Sequence, residues 1–205
     1  RGVGKRKHIS KDRLPIKETI MFTAIPKPKI VFSAKPPRVV RWGLHKTPCG
    51  PMLCGLTDKD AVCFLDFSQG RKASAPLRKW RNRWPRTAFR KDERATRDAI
   101  KNIFGKKKIT VCLSGTPFQK KVWLALLAIP PGGVVSYAGL ARRIKKPKAT
   151  RAVGMALGAN PVPVAIPCHR VISSDGSLGG FGGGLVAKRL LLKEEGHIWI
   201  KGKIG

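Results

Sequence analysis

The second half of the chain is punctuated more tightly than the first, and this limits what it can fold into. Thr116 followed by Pro117 reads as a helix N-cap and first helical residue; Phe118, Val122, Leu126 and Ile129 then recur near helical spacing until Pro130-Pro131-Gly132-Gly133 ends the run. Ser136 reads as the cap of a short helix from Tyr137 to Ile144, with Leu140 and Ile144 on one face. The basic turn Lys145-Lys146-Pro147 leads into a further helix, about Lys148 to Gly158, with Ala149, Val153 and Leu157 at intervals of four. Two short helices across a tight basic turn make a helix-turn-helix candidate, although any helical hairpin shares that signal. On the second helix Ala152, Gly154, Ala156 and Gly158 alternate with larger residues, so part of its surface carries almost no side chain. Such a surface suits close approach to a neighbouring helix or to a nucleic-acid groove. Arg151 and its basic neighbours favour the groove, since the only acids after Asp98 are Asp175, Glu194 and Glu195.

Upstream, the apolar runs Val39-Val40, Met52-Leu53 and Ala61 to Phe67 are separated by turn residues such as Thr47-Pro48 and Asp58, which predicts a small antiparallel sheet. Residues 73 to 104 read as helical in two pieces broken near Pro85, the second with Ala95, Ala99, Ile103 and Phe104 near helical spacing. Lys106 to Lys108 read as a linker. Residues 1 to 38 hold 11 basic side chains, two acids and five prolines, and read as a flexible tail with too little apolar content to offset the entropy of folding.

The whole chain carries 43 lysines and arginines against 11 acids, a formal charge of +32 over 205 residues. Such a field draws a protein to polyanions, with nucleic acid the leading partner; a ribosome-associated or generally basic protein is the other reading. No stretch approaches the roughly 20 apolar residues that span a bilayer, so no membrane partner and an intracellular setting, cytoplasmic or nuclear, are expected. Cys49, Cys54, Cys63, Cys112 and Cys168 form an odd set without paired C-x-x-C spacing, which argues against a disulfide framework and leaves at least one thiol free to react. Cys49, Cys54 and Cys63 lie in apolar surroundings with no histidine at finger spacing, so they read as buried structural thiols and no metal is expected.

The most specific segment is Asn160-Pro161-Val162-Pro163-Val164-Ala165-Ile166-Pro167-Cys168-His169-Arg170-Val171-Ile172. An apolar extended run delivers Cys168 between a stiffening proline and a His-Arg pair, a setting expected to lower the thiol pKa and favour the reactive thiolate. Arg170 reads as structural. Gly176 to Gly184 lacks the Lys-Ser/Thr ending of a phosphate loop and reads as pocket wall and lid.

Pro167-Cys168-His169-Arg170 resembles the active-site signature of the O6-alkylguanine-DNA alkyltransferases, and Gly115 to Gln119, Val122-Trp123, Ile129-Pro130, Ser136-Tyr137, Leu140-Ala141, Arg151 to Gly154, Asn160-Pro161 and the glycine-rich stretch through Lys188 and Leu191-Leu192 occur in that family's order and spacing. The similarity is close over about residues 109 to 196 and looser from Val39 to Phe104. The resemblance implies an α/β N-terminal domain, a small antiparallel sheet with helices over 39–104, followed by a mainly helical, winged-helix-like DNA-binding and catalytic domain over 109–199. The implied partner is double-stranded DNA containing an alkylated guanine, met by a monomer without cofactor, and the activity is a single-turnover transfer from O6-alkylguanine, and O4-alkylthymine, to Cys168. Because O6 of a paired guanine is out of a thiol's reach, the base must be flipped out of the stack.

Carried over by resemblance, Arg151 fills the gap left in the stack, Tyr137 presses on the 3′ phosphate and donates a proton near N3, and Ala152 and Gly154 face the minor groove. Cys168 is the nucleophile, His169 the base through a water, Glu195 the group that orients it, and Asn160 the stabiliser of the turn. Main-chain groups of Cys168, Val171 and Gly182 read the base, with Pro163 and Phe181 lining the pocket. Phe181 stands where many members carry a tyrosine, so a hydroxyl near the leaving oxygen is missing. Two further readings are a non-catalytic binder of damaged guanine, disfavoured by the presence of Cys168, and an alkylation-responsive regulator, disfavoured by the lack of a zinc-binding cysteine cluster in residues 1 to 70.

Overall fold

The computed structural model describes residues 26–68, 73–105, 107–200, 203 and 204. Its first half is a six-stranded mixed sheet in the order β1-β6-β4-β3-β2-β5, built from β1 (Lys29–Phe32), β2 (Val39–His45), β3 (Met52–Thr57), β4 (Val62–Phe67), β5 (Ala88–Lys91) and β6 (Thr110–Leu113). The antiparallel β2-β3-β4 meander is the part that the apolar runs predict. The sheet is larger than expected because three short strands join it in parallel: β1 on β6, β6 on β4, and β5 on β2. Lys29–Phe32 therefore lies in the sheet although the sequence reads it as tail; residues 1–25 of that reading fall outside the described residues. Likewise β5 sits between the two helical pieces, and β6, sequence-neighbour of the second half, completes the sheet of the first.

Strand alternation divides the apolar side chains between two faces. On one face Val40, Leu53 and Phe64, with Cys63 at a β-bulge in β4, meet Leu77 and Trp80 of α1 (Ser74–Arg83) and the Trp84 that follows it. The Phe64 and Trp80 rings stack there at 4.6 Å. On the other face Met52, Cys54, Leu56, Leu65 and Phe67 join Ile100 and Ile103 of α2 (Glu93–Phe104) and continue into the core of the second half. Leu65 and Phe67 thus point the same way, toward the segment that carries Cys168.

The second half is helical, as its caps dictate. In α3 (Pro117–Leu126) the Thr116 hydroxyl accepts from Gln119 N while the Gln119 side chain accepts from Thr116 N, a reciprocal capping box that satisfies two otherwise orphaned amides. The helix ends before Ile129, in a turn that leads to the Pro130-Pro131 stop. Ser136 Oγ caps α4 (Tyr137–Arg143) by accepting from Gly139 N. A 3₁₀ turn, Pro147–Ala149, precedes α5 (Thr150–Gly158), and α3, α4 and α5 pack together. Trp123, wholly buried, donates from its indole to Ala156 O at 2.9 Å and pins α5 to α3. A long final helix, α6 (Gly184–Glu194), and a two-stranded ribbon, β9 (Trp199–Ile200) with β10 (Lys203–Ile204), complete the described chain. Earlier in this half, β7 (Val135–Ser136), just before α4, pairs in parallel with β8 (Val171–Ile172), just before the loop that leads to α6. No helix among the described residues is long and apolar enough to cross a membrane.

Trp80 is the more deeply buried of the two tryptophans in the α1-covered core, at 1% exposure. Trp80→Ala is expected to cost about 3–5 kcal/mol by leaving a cavity the helix cannot close, measured as a shift in the urea unfolding midpoint with an unchanged slope; a loss below 1 kcal/mol would contradict this packing.

Candidate active site

The segment that carries Cys168 begins where α5 runs out. Asn160 turns its amide back on the chain that follows: Oδ1 accepts from Val162 N at 3.1 Å, while Nδ2 donates to Ile166 O at 2.9 Å and to Cys168 Sγ at 3.0 Å. Ile166 N donates to Val162 O at 2.9 Å, closing a tight turn with Val164 at φ 77°. A β-branched residue is strained in that region by about 1–3 kcal/mol, and the Asn160 bonds on both sides hold it there. The chain then enters a 3₁₀ turn, Cys168–Arg170, and passes into β8. Pairing of β8 with β7 sets Ser136, and with it Tyr137 at the start of α4, beside the cysteine segment.

Cys168 opens onto a cavity of about 210 Å3, lined also by Tyr137, Gly154, Leu157, Gly158, Gly180, Phe181 and Gly182. The volume suits one small planar group rather than a drug-sized ligand, whose pockets run to roughly 300–1,000 Å3. Tyr137 Oη donates to Gly180 O at 3.4 Å across the mouth. At Gly179, φ 62°, an added Cβ would lie 2.8 Å from that hydroxyl, so both conformation and space require glycine. Phe181 makes edge contacts with Phe67, at 5.5 Å between centroids, and with His169, at 6.4 Å.

Behind the thiol lies a buried charge cluster. Glu195, with its side chain 8% exposed, meets His169 Nε2 at 3.1 Å and accepts from Arg170 Nη2 at 2.7 Å and from Arg170 Nε at 3.0 and 3.1 Å. Arg170 Nη1 also donates to Ile129 O at 2.5 Å. Burial alone would raise the Glu195 carboxyl, but the hydrogen bonds and charges of His169 and Arg170 hold it at about 2. Burial lowers His169 below the usual imidazole value, with Glu195 pulling the other way and Arg170 and Lys188 adding to the depression. The imidazole is therefore neutral at neutral pH. With Nε2 donating to Glu195, its buried Nδ1 is an acceptor with no protein partner among the described residues.

Cys168 departs from the expectation for a thiol beside a His-Arg pair. Burial pushes it up to about 11, against the opposing pull of the Asn160 amide, the Lys188 ammonium and its own main chain. The Arg170 charge is spent on Glu195, and His169 carries none, so the neighbours that looked cationic in sequence do not stabilise a thiolate.

Of the residues that sequence points to, the structure brings Cys168, Tyr137, Gly154, Phe181 and Gly182 to one cavity, with Asn160, His169 and Glu195 supporting them from behind. Arg151 and Ala152 lie outside it on the exposed face of α5. Pro163 and Val171 are buried behind the cavity rather than lining it. Gly180 lines it, as the reading of Gly176 to Gly184 as pocket wall implies; sequence reading misses Leu157 and Gly158 as lining residues, and it gives Lys188 no role. This lysine is wholly buried in α6, its ammonium donating to the carbonyls of Val171 at 2.6 Å, Gly180 at 3.3 Å and Leu178. Burial pulls it down to about 8, with Cys168 opposing. Its sequence signals are its place in the family's order and a lysine on the same helix face as Leu191 and Leu192.

Residues 117–197 match the family described as 6-O-methylguanine DNA methyltransferase, DNA binding domain. The methylated-DNA--protein-cysteine methyltransferase of Haemophilus influenzae is 39% identical over 156 residues, 74% of this chain and 83% of that protein. That of Methanosarcina acetivorans is 36% identical over 157 residues, 76% of this chain and 97% of its own. Among solved structures, Mycobacterium tuberculosis OGT in complex with DNA is similar at a TM-score of 0.60 and 32% identity, over 77% of this chain and 92% of that one.

Removing the Glu195 charge leaves Arg170 buried without its partner. Glu195→Gln is expected to cost about 3–5 kcal/mol, read from denaturant unfolding. The pH dependence has a definite sign: a carboxyl held at about 2, against 4.5 unperturbed, contributes stability that is complete above about 4.5 and is lost as pH falls toward 2. Acid titration of the unfolding free energy should show that decline in the parent protein and a shallower one in Glu195→Gln; equal slopes would refute the assignment.

Proposed function

The chain belongs to the methylated-DNA--protein-cysteine methyltransferase family, and from that membership we propose that it repairs DNA by drawing the alkyl group of an O6-alkylguanine, or of an O4-alkylthymine, onto Cys168 in one irreversible step. The observation that carries the reading is a thiol lining a base-sized cavity beside an exposed, basic helix end with small side chains.

DNA is met by α5, the second helix of a winged-helix-like helix-turn-helix, entering the minor groove. Arg151 occupies the space the flipped nucleotide leaves, Tyr137 presses on its 3′ phosphate, and Ala152 and Gly154 let the helix backbone approach the groove. The protein works as a monomer wherever the genome lies, nucleoid or nucleus. The chain after β6 acts as the catalytic and DNA-binding unit, and the sheet with α1 and α2, β1 and β6 included, as its scaffold.

In the cavity, Cys168 Sγ attacks the alkyl carbon in line with its bond to O6; the C–O bond breaks, its electron pair stays with the guanine, and a thioether forms. The thiol proton passes through a water to His169 Nδ1, and Glu195 orients the ring and balances the imidazolium. Tyr137 protonates the departing guanine near N3. Burial raises the Tyr137 hydroxyl, which keeps it in the protonated, donating form. The main chain at Cys168 and Gly182 reads the base edge, and Asn160 holds the turn. The thioether has no water-labile bond, so each molecule reacts once.

Intact-mass spectrometry after incubation with a duplex containing one O6-methylguanine is expected to show a single gain of about 14 Da, one methyl in place of the thiol hydrogen, mapped to the Cys168 peptide and absent in Cys168→Ala. Tight, damage-selective binding without a mass gain would make the protein a binder only. The single-turnover rate constant is expected to stay level from neutrality down to pH 6.5 and to fall in more acid solution, because burial keeps His169 able to accept a proton below its ordinary value of 6.5. A rate that rises in acid would exclude His169 as the base.

A further inference from the structure

All the roles above fall on residues after 109, yet the wall of the cavity does not stand on that part of the chain alone. Phe67, the last residue of β4 and 7% exposed, projects from the sheet against the Phe181 ring, edge to face at 5.5 Å. A second ring neighbour of Phe181 is the His169 imidazole at 6.4 Å, nearly perpendicular at 83°. Phe181 thus packs against both a strand of the sheet and the ring next to the thiol. The packing is tight: at Gly183 an added Cβ would lie 2.7 Å from Phe67 and 2.8 Å from Phe181, so the loop backbone fills space beside the two rings. Two residues earlier on β4, Leu65 N donates to Pro161 O at 2.8 Å. One strand therefore grips both the turn that leads to Cys168 and the aromatic wall of the cavity.

We propose that Phe67 is a specificity-determining residue of the alkyl-transfer reaction: by bracing Phe181 it sets the width of the cavity available to the alkyl group beside Cys168. The inference rests on the alkyl-transfer reading above. An edge-to-face pair fixes a ring's tilt as well as its position. With the edge of Phe67 present, Phe181 cannot retreat from Cys168, and a small alkyl group is held against the thiol. Without it, Phe181 can fall back into the vacated volume, a methyl group loses its near-attack contact, and a bulky group gains room.

The test is the single-turnover rate constant of the parent protein, Phe67→Ala and Phe67→Leu with duplexes carrying either O6-methylguanine or O6-benzylguanine, alongside duplex affinity and thermal melting. The benzyl-to-methyl rate ratio is expected to rise roughly tenfold or more in Phe67→Ala, within the range a methylene's worth of misfit commands in an apolar pocket. Methyl transfer slows, benzyl transfer holds or quickens, and duplex affinity is unchanged. Phe67→Leu keeps the apolar volume but lacks the flat ring edge, is expected to be intermediate, and decides the question where Phe67→Ala does not fold. Rates that fall in parallel for both substrates, or a ratio that moves in neither variant, overturn the assignment while the reaction itself stands. A parent protein that transfers neither group overturns the reaction and this inference with it.

Discussion

Glu195 sits just past the end of α6 with its carboxylate out of water, both oxygens taken by Arg170 and one also facing His169. An isolated buried carboxylate would cost several kcal/mol, and the arrangement is tolerable only because every lone-pair direction that matters has a donor. Arg170 reaches at the same time to Ile129 O, beyond α3. One ion thus ties together three stretches of chain: the exit of α3, the turn that carries Cys168, and the end of α6. The orientation of the His169 ring, and the position of the cysteine next to it, are consequences of that tie.

The resting thiol is protonated, and this has a use. With Cys168 near 11, about four units above neutral pH, the thiolate lies roughly 5 kcal/mol uphill. A protein that can react only once gains from a nucleophile that stays inert toward stray electrophiles and oxidants, which prefer the thiolate. The same burial that raises the thiol keeps His169 neutral. In the proposed mechanism, activation then depends on an occupant that turns the proton transfer and the bond formation into one event. Burial is the shared cause of both shifts, so a single property of the site leaves the thiol protonated and the imidazole free of a proton at Nδ1.

Local signals carried the second half of the molecule well. Thr116 with Gln119, and Ser136 with Gly139, are caps whose chemistry is complete within one turn of helix, so sequence alone places them. The family signature around Cys168 is likewise contiguous. What sequence could not show is whatever depends on distant partners. Strands β1 and β5 are short, sit at sheet edges and carry exposed Lys29, Arg90 and Lys91, so they lack the alternation that marks a strand and exist because a parallel neighbour supplies their hydrogen bonds. The Cys168 pKa was misjudged for a related reason. Adjacent charges can be counted along the chain, but Arg170 is neutralised by Glu195 from the other end of the domain, and desolvation belongs to the fold as a whole.

The glycine-rich loop over the cavity poses a problem that its own residues cannot solve. Glycines at 179, 180, 182, 183 and 184 allow the close approaches and positive φ angles the loop needs, but they leave it few side chains to pack and a large entropy to lose on ordering. Such a loop is held by its carbonyls, its single ring and the buried Leu178. Lys188 takes the carbonyls of Leu178 and Gly180, at the cost of a buried ammonium drawn down to about 8, and Tyr137 adds a second bond to Gly180. Phe67 and His169 take the ring. The shape of the cavity is therefore imposed on the loop from α6, from α4 and from the sheet, which gives the N-terminal strands a part in selecting what reaches Cys168 as well as in holding the fold together.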